Sequence, residues 1–226
     1  MDGSTAVIGQ KVDAATATVM VDKIRLPVRP DGAYYLMFKP AGVISTTSDE
    51  RGRRTVIDLV PKDPAVYPVG RLDADSEGLL ILTNDGDLTH HLTHPSFGVT
   101  KTYTVLVDGR PSPGEVKQLE NGVELEDGPA HAESARIVDV GAAGTLLELV
   151  MSEGRNREVR RMIAAIGHTV LRLVRTAIGD LRDRNLKPGS WRLLTAPEVR
   201  RLFAAGGGSG QFGSWENAPD RELEDE

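Results

Sequence analysis

Apolar residues along this chain fall into short compact runs separated by glycine, proline and polar clusters, a spacing that suits strands more than long helices. Tyr34-Tyr35-Leu36-Met37-Phe38 and Leu79-Leu80-Ile81-Leu82 are such runs. Both are predicted as buried strands, the second ended by the turn signal Asn84-Asp85-Gly86. Lys101 to Val107 has the β-branched and aromatic composition of a strand, and residues 145–151 and 170–176 repeat the type. Helices are predicted between them. Ser112-Pro113 opens one that Gly122 closes, residues 157–166 form another ended by Gly167, and Thr195-Ala196-Pro197-Glu198 is a capping box with proline in the first turn. Strands mixed with a few helices, without strict alternation, predict an α+β fold with a central mixed, largely antiparallel sheet flanked by helices.

The pattern stops at both ends. From residue 206 onwards, Gly206-Gly207-Gly208-Ser209-Gly210 and the acidic stretch that follows cannot bury apolar surface, so a disordered tail is expected over 206–226. Before Pro27 and Pro30, which mark a linker, Val7-Ile8-Gly9 and Val19-Met20-Val21 are apolar pieces too small to stand alone. No internal repeat is visible.

Composition narrows the class. The 226 residues carry no cysteine, which excludes a disulfide framework and a thiolate metal site. The first residues lack a basic-then-apolar leader pattern, so a cytoplasmic location is expected. Apolar runs such as Leu79 to Leu82 are far shorter than the roughly 20 residues that cross a bilayer, and no membrane partner is expected. The formal charge of −6 opposes nucleic-acid binding, but much of it sits in the tail at Glu216, Asp220, Glu222, Glu224, Asp225 and Glu226. Between residues 155 and 175, Arg155, Arg157, Arg160, Arg161, Arg172 and Arg175 outnumber Glu158, and local potential decides whether a phosphate backbone is attracted.

Three segments could carry chemistry. Gly70-Arg71-Leu72-Asp73-Ala74-Asp75-Ser76-Glu77-Gly78 precedes a buried strand. It reads as a calcium loop lacking the final bidentate Glu, as a solvated turn, or as one carboxylate, Asp73, kept ionised to act as nucleophile or base. His90 and His94 lie one helical turn apart, as zinc ligands often do, but without a third ligand a polar helix face is the better expectation. Glu153 to Met162 opens a helix with arginines able to grip phosphates or orient a carboxylate.

Taken together, these segments resemble the RsuA/RluB-type pseudouridine synthases. Gly70-Arg71-Leu72-Asp73, continued by Gly78-Leu79-Leu80-Ile81-Leu82-Thr83-Asn84-Asp85-Gly86, is similar to their central motif, with Ser76 where Thr is common. Lys39-Pro40-Ala41-Gly42, Lys101-Thr102-Tyr103 and Gly154-Arg155-Asn156-Arg157-Glu158-Val159-Arg160-Arg161-Met162 extend the likeness over about residues 33–203. The resemblance implies Asp73 as the catalytic carboxylate, Tyr103 as the active-site tyrosine, Arg160 as the basic partner of Asp73 and Val159 as an apolar wall against the uracil. Arg71 would fill the space a flipped uridine leaves, and Lys101, Arg155, Arg157 and Arg161 would hold phosphates. It also implies no metal and no cofactor, a monomer, and ribosomal RNA as partner, with the C-terminal Ile178-Gly179-Asp180 to Leu194 stretch closer to the 23S branch. Residues 1–26 then read as the remnant of an S4-like RNA-binding module and linker, 27–205 as the catalytic domain, and 206–226 as a tail. The alternatives are a non-catalytic ribosome-assembly factor on the same fold and a metal-dependent phosphoryl-transfer enzyme using Asp73 and Asp75.

Overall fold

In a computed structural model of the chain, the described residues are 32–206 together with Met20–Val21 and Ile24–Arg25. Most of the expected S4 remnant and nearly all of the acidic tail lie outside them. The chain divides into two compact units, the larger being Pro27–Gly208. In the smaller, β1 (Met20–Val21) and β2 (Ile24–Arg25) pair antiparallel, with Met20 opposite Arg25 and Val21 opposite Ile24.

The larger unit runs, in chain order, through β3 (Tyr34–Lys39), β4 (Tyr67–Pro68), β5 (Glu77–Thr83), α1 (Gly86–Thr93), β6 (Lys101–Val107), α2 (Pro113–Asn121) and a hairpin of β7 (Val123–Leu125) with β8 (Gly128–Ala130). It continues with β9 (Ser134–Gly141), β10 (Gly144–Met151), α3 (Glu158–Ala165), β11 (Val170–Ile178), β12 (Leu181–Arg182), β13 (Trp191–Leu193) and α4 (Ala196–Ala204). The main sheet has the order β13-β3-β5-β11-β6-β10-β9, with β4 beside β5 and β12 beside β11. Every pairing in it is antiparallel except β11 with β5. This is the expected α+β class with a mixed, largely antiparallel sheet.

The parallel pairing is short and consequential. It spans only Val174 opposite Glu77 and Arg175 opposite Gly78, after which the far end of β5 turns to β4 instead. Two half-sheets therefore meet at a narrow seam and diverge beyond it.

Hydrophobic patterning explains the layers. β3 and β5 are apolar at consecutive positions because both faces are covered. Leu36, Leu79 and Ile81 pack with Leu88 and Leu92 of α1 and Leu202 and Phe203 of α4, while Tyr35, Met37, Leu80 and Leu82 pack with Val43, Val56 and Val66 on the other side. β10 alternates strictly, its buried residues Leu147, Leu149 and Met151 joining Val105, Leu119, Val159, Met162 and Ile163 beneath the second half-sheet. Each such side chain fully buried stabilises the fold by about 1.5–3 kcal/mol.

Ser112 and Thr195 cap α2 and α4 in capping boxes, as their sequences predict. Asn84-Asp85-Gly86 ends β5 but is no hairpin turn. Asp85 caps α1, its carboxylate accepting from the Asp87 and Leu88 amides at 3.0 and 3.2 Å, and Tyr34 Oη donates to it at 2.8 Å. A helix N-cap and a hairpin turn draw on the same residues, so the local signal does not separate them. Among the described residues no helix is long and apolar enough to cross a membrane.

Candidate active site

The loop from Gly70 to Ser76 leaves β4 at the seam and is held from beneath by Lys39, Gly42 and Ser45, well upstream in the chain. Ser45 Oγ accepts from the Leu72 amide at 3.1 Å and donates to the Leu72 carbonyl at 2.9 Å. The Gly42 amide donates to the Ala74 carbonyl at 2.7 Å. Lys39, fully buried, donates through Nζ to the carbonyls of Ser76 (2.8 Å), Pro40 (3.0 Å) and Ala74 (3.5 Å). Burial lowers the Lys39 ammonium to about 8, against the opposing pull of Asp73, Asp75 and Glu77. A buried cation thus clamps the backbone on both sides of Asp75 and faces the carboxylates of the loop. Lys39 and Ser45 are functional residues that sequence reasoning missed, although Lys39 stands in the matched Lys39-Pro40-Ala41-Gly42 run and ends a buried strand, where a lysine calls for an explanation.

Asp73 opens into a cavity of about 190 Å³ walled by Leu72, Tyr103, Met151, Val159 and Leu173. Tyr103 comes from β6, opposite Leu149 and Arg175 across the sheet, and is nearly buried. Val159 is supplied by the first turn of α3, which is preceded by Arg157 at φ 49°, among the described residues the one non-glycine in the left-handed region. Such a conformation costs of order 1–3 kcal/mol, and at Arg157 it places the guanidinium over the Asp73 loop. Glu158 secures the turn by accepting from the Arg155 amide at 3.1 Å and from Arg155 Nε at 2.9 Å.

The arginines divide their work differently from the expectation. Arg160 does not pair with Asp73. Its Nη2 donates to the Asp75 carbonyl at 3.0 Å and lies 3.3 Å from the Asp75 carboxylate and 3.4 Å from Ser76 Oγ. Among the described residues the ion pair on Asp73 comes from Arg157, 3.9 Å away, which also holds Asp75 with two bonds of 3.1 Å. Burial works against the Asp75 carboxylate, but the hydrogen bond from Arg157 and the charges of Arg160 and Arg157 outweigh it and hold the group below its usual range. Arg160 follows Arg157 by nearly one helical turn, so both reach the same loop, and spacing alone does not assign each to its carboxylate.

Arg155 and Arg161, expected to grip phosphates, are taken up by the protein. Arg161 makes two bonds to Asp127 of 2.7 and 3.0 Å, and Arg155 reaches Asp127, Gly128 and Pro129 as well as Glu158. They fasten the β7–β8 hairpin to α3. Glu77 is held by Arg172 at 2.9 and 2.8 Å, so two acidic residues of the calcium-loop reading, Asp75 and Glu77, are committed to guanidinium groups. The His90 and His94 rings lie 5.0 Å apart, tilted, and each meets Phe97 edge-on in an aromatic cluster beside α1. Arg71 is exposed and lies between the Asp73 cavity and a larger one of about 410 Å³, both of which it lines.

The Asp73 carboxylate in a cavity that is apolar on the side of Leu72, Tyr103, Met151, Val159 and Leu173 and rimmed by Arg71, Arg155 and Arg157 suits isomerisation of a nucleoside in RNA. The sequence profile of the family described as RNA pseudouridylate synthase matches residues 33–165. The chain is 42% identical over 179 residues to ribosomal large subunit pseudouridine synthase B of Bacillus subtilis, covering 78% of this chain and 73% of that protein. It is 44% identical over 200 residues to an uncharacterized RNA pseudouridine synthase of Mycobacterium leprae, covering 87% and 78% respectively. A solved structure described as a pseudouridylate synthase matches with a TM-score of 0.68 at 32% identity over 76% of this chain and 74% of the other. The chain belongs to the RNA pseudouridylate synthase family and is an isomerase acting on RNA. Within the family it is of the RsuA/RluB type.

Proposed function

We propose that this enzyme isomerises one uridine of ribosomal RNA, in the 23S molecule, acting as a cytoplasmic monomer without metal or cofactor. The observation that carries the reading is Asp73 itself, a half-buried carboxylate at the mouth of a cavity bounded by Tyr103 and Val159, with its backbone clamped by Lys39 and Ser45. Similarity to the large-subunit enzyme of Bacillus subtilis, together with the Ile178-Gly179-Asp180 to Leu194 stretch, supports the 23S target.

The reaction breaks the bond from ribose C1′ to uracil N1, turns the base and joins C1′ to C5. The proton on C5 leaves, one is gained at N1, and no electron is exchanged with an outside group. Asp73 either attacks C1′ or removes the ribose proton that allows a glycal to form, and Arg157 and Arg160 act on it directly and through Asp75. Tyr103 packs on the uracil and helps move the C5 proton. The uridine has to leave its stack, at a cost of a few kcal/mol, and Arg71, exposed and without a bonded partner among the described residues, takes its place. Asp75, already neutralised by two guanidinium groups, is a poor metal ligand, which weighs against phosphoryl transfer. The test is to map pseudouridine in 16S and 23S rRNA from cells with and without the gene. One 23S uridine unmodified in the deletion strain and restored by the parent gene, but not by Asp73→Asn, is the expected result. Unchanged 23S modification removes the proposed target.

A further inference from the structure

Beyond Tyr103 and Arg71, on the side away from Asp73, lies the larger cavity of about 410 Å³, which the reaction as described leaves unused. Its floor is apolar, made by Val69, Ile81, Leu92 and Ile178, and its inner wall carries Lys101 and Arg175. Arg175 is only 5% exposed. Its Nε donates to the Leu79 carbonyl at 2.7 Å, while its Nη2 is buried with no hydrogen-bond partner. Lys101 sits one alternation before Tyr103 on the same face of β6 and donates to the Val99 carbonyl at 2.6 Å. Neither cation forms an ion pair among the described residues, and the carboxylate on the cavity wall, Glu153, is paired with Arg155 at 3.3 Å. Burial, and then the charge of Arg175, push Lys101 down to about 8.

Buried donors without acceptors are costly, and Arg175, which lines the cavity with its buried Nη2 unsatisfied, favours an acceptor brought against its guanidinium from outside. An apolar floor favours a flat ring over a bare phosphate, and the volume lies within the range of small-ligand pockets. We propose that this cavity is a second base-binding site, which receives the nucleobase next to the target uridine on the same RNA strand, with Arg175 and Lys101 donating to its acceptor edge. Because both wall groups only donate, the site prefers a base presenting adjacent acceptors, as guanine does with O6 and N7, and disfavours adenine, whose N6 amino group would face a cation. Arg71 lines both cavities at their shared rim. This rests on the RNA pseudouridine synthase activity and adds a subsite that reads sequence.

The test uses a synthetic RNA stem–loop spanning the uridine that mapping identifies, with each flanking nucleotide in turn made abasic, guanine, inosine or adenine. At one flanking position the abasic RNA should bind the full-length protein about tenfold more weakly than guanine, with inosine close to guanine and adenine close to abasic. Filling the cavity from its rim with Thr93→Trp, at an exposed position, should weaken guanine RNA by a similar factor and leave abasic RNA unchanged. Lys101→Met should narrow the guanine-to-adenine difference, which avoids disturbing Arg175 and its bond to β5. Equal binding of abasic and intact RNAs at both positions, or an equal effect of Thr93→Trp on both RNAs, overturns the second site. Those outcomes leave modification of the mapped uridine by the parent intact, whereas loss of that modification tests the rRNA reading separately.

Discussion

Gly78 and Arg175 meet backbone to backbone at the parallel seam of the sheet, where a Cβ on Gly78 would fall 2.8 Å or less from the nitrogen, carbonyl carbon and carbonyl oxygen of Arg175. Gly78 also has φ +113°, which L side chains rarely adopt. The Asp73 loop enters β5 one residue earlier, so the close approach that joins the half-sheets also fixes the loop. Gly78→Ala should lower stability by about 2 kcal/mol or more, from strain and forced separation together. Urea denaturation should show a lower midpoint with an unchanged slope. A midpoint equal to the parent's would mean that the seam yields freely.

Replacing Asp73 tests chemistry with little change in shape. Asp73→Asn should reduce pseudouridine formation by at least 10²–10⁴-fold, while thermal unfolding stays within about 0.5 kcal/mol of the parent. Turnover near the parent level removes Asp73 from the reaction. For Tyr103→Phe, which keeps the ring and loses the hydroxyl, RNA binding should persist while product formation slows, whereas Tyr103→Ala should impair both. Equal rates in all three proteins would place Tyr103 outside the reaction.

Lys39 gives a pH signature with a definite sign. The unfolded chain keeps this proton up to about 10.5, whereas the folded protein releases it near 8. Between those values the unfolded state binds more protons, so stability rises with pH, and below pH 8 the folded state carries the full cost of the buried charge. A depression from 10.5 to about 8 corresponds to roughly 3 kcal/mol. Lys39→Met should abolish this part of the rise between pH 8 and 10.5 in urea titrations, leaving the share contributed by Lys101. Its activity should also fall at neutral pH, because the Ser76 and Ala74 carbonyls lose their donor. Identical pH slopes for parent and variant would show that Lys39 does not carry the effect.

Much of this arrangement is legible along the chain, for physical reasons that differ by element. β3 and β5 show as unbroken apolar runs because both faces are covered, and α2 and α4 announce themselves through Ser112 and Thr195. β9, by contrast, is an edge strand with mostly exposed side chains, Ala135 and Ile137 packing partly inward, and so short an alternation is hard to read from sequence. Asp73, Tyr103 and Val159 come from a loop, a strand and a helix start that share a motif resemblance, and the structure brings them to one cavity. Which carboxylate each arginine takes depends on the left-handed turn at Arg157 and on the position of the β7–β8 hairpin, and neither follows from spacing. Lys39 was missed because its role is a long-range contact, from the end of β3 to the carbonyls of Ala74 and Ser76, and Arg175 was legible only as one member of a basic cluster.

The position of Arg71 separates two explanations of how the uridine is exposed. Arg71 is solvent-exposed, with no bonded partner among the described residues, and it lines the cavities on both sides of Tyr103. If it replaces the extruded uracil in the stack, then Arg71→Ala loses most where the uridine must be pulled from a paired helix. Unstacking costs a few kcal/mol, of which a filled gap recovers a part, so a tenfold to hundredfold fall in kcat/KM is expected on a duplex-embedded uridine. The same variant should act nearly normally on a stem–loop in which that uridine faces an abasic site, since little pairing remains to be lost. A mere phosphate contact predicts something else: an equal loss on both RNAs and a salt slope of log K shallower by about 0.9 on duplex RNA. Measuring kcat/KM for both RNAs at two salt concentrations decides between them, and an equal loss with a shallower slope would make Arg71 a backbone contact.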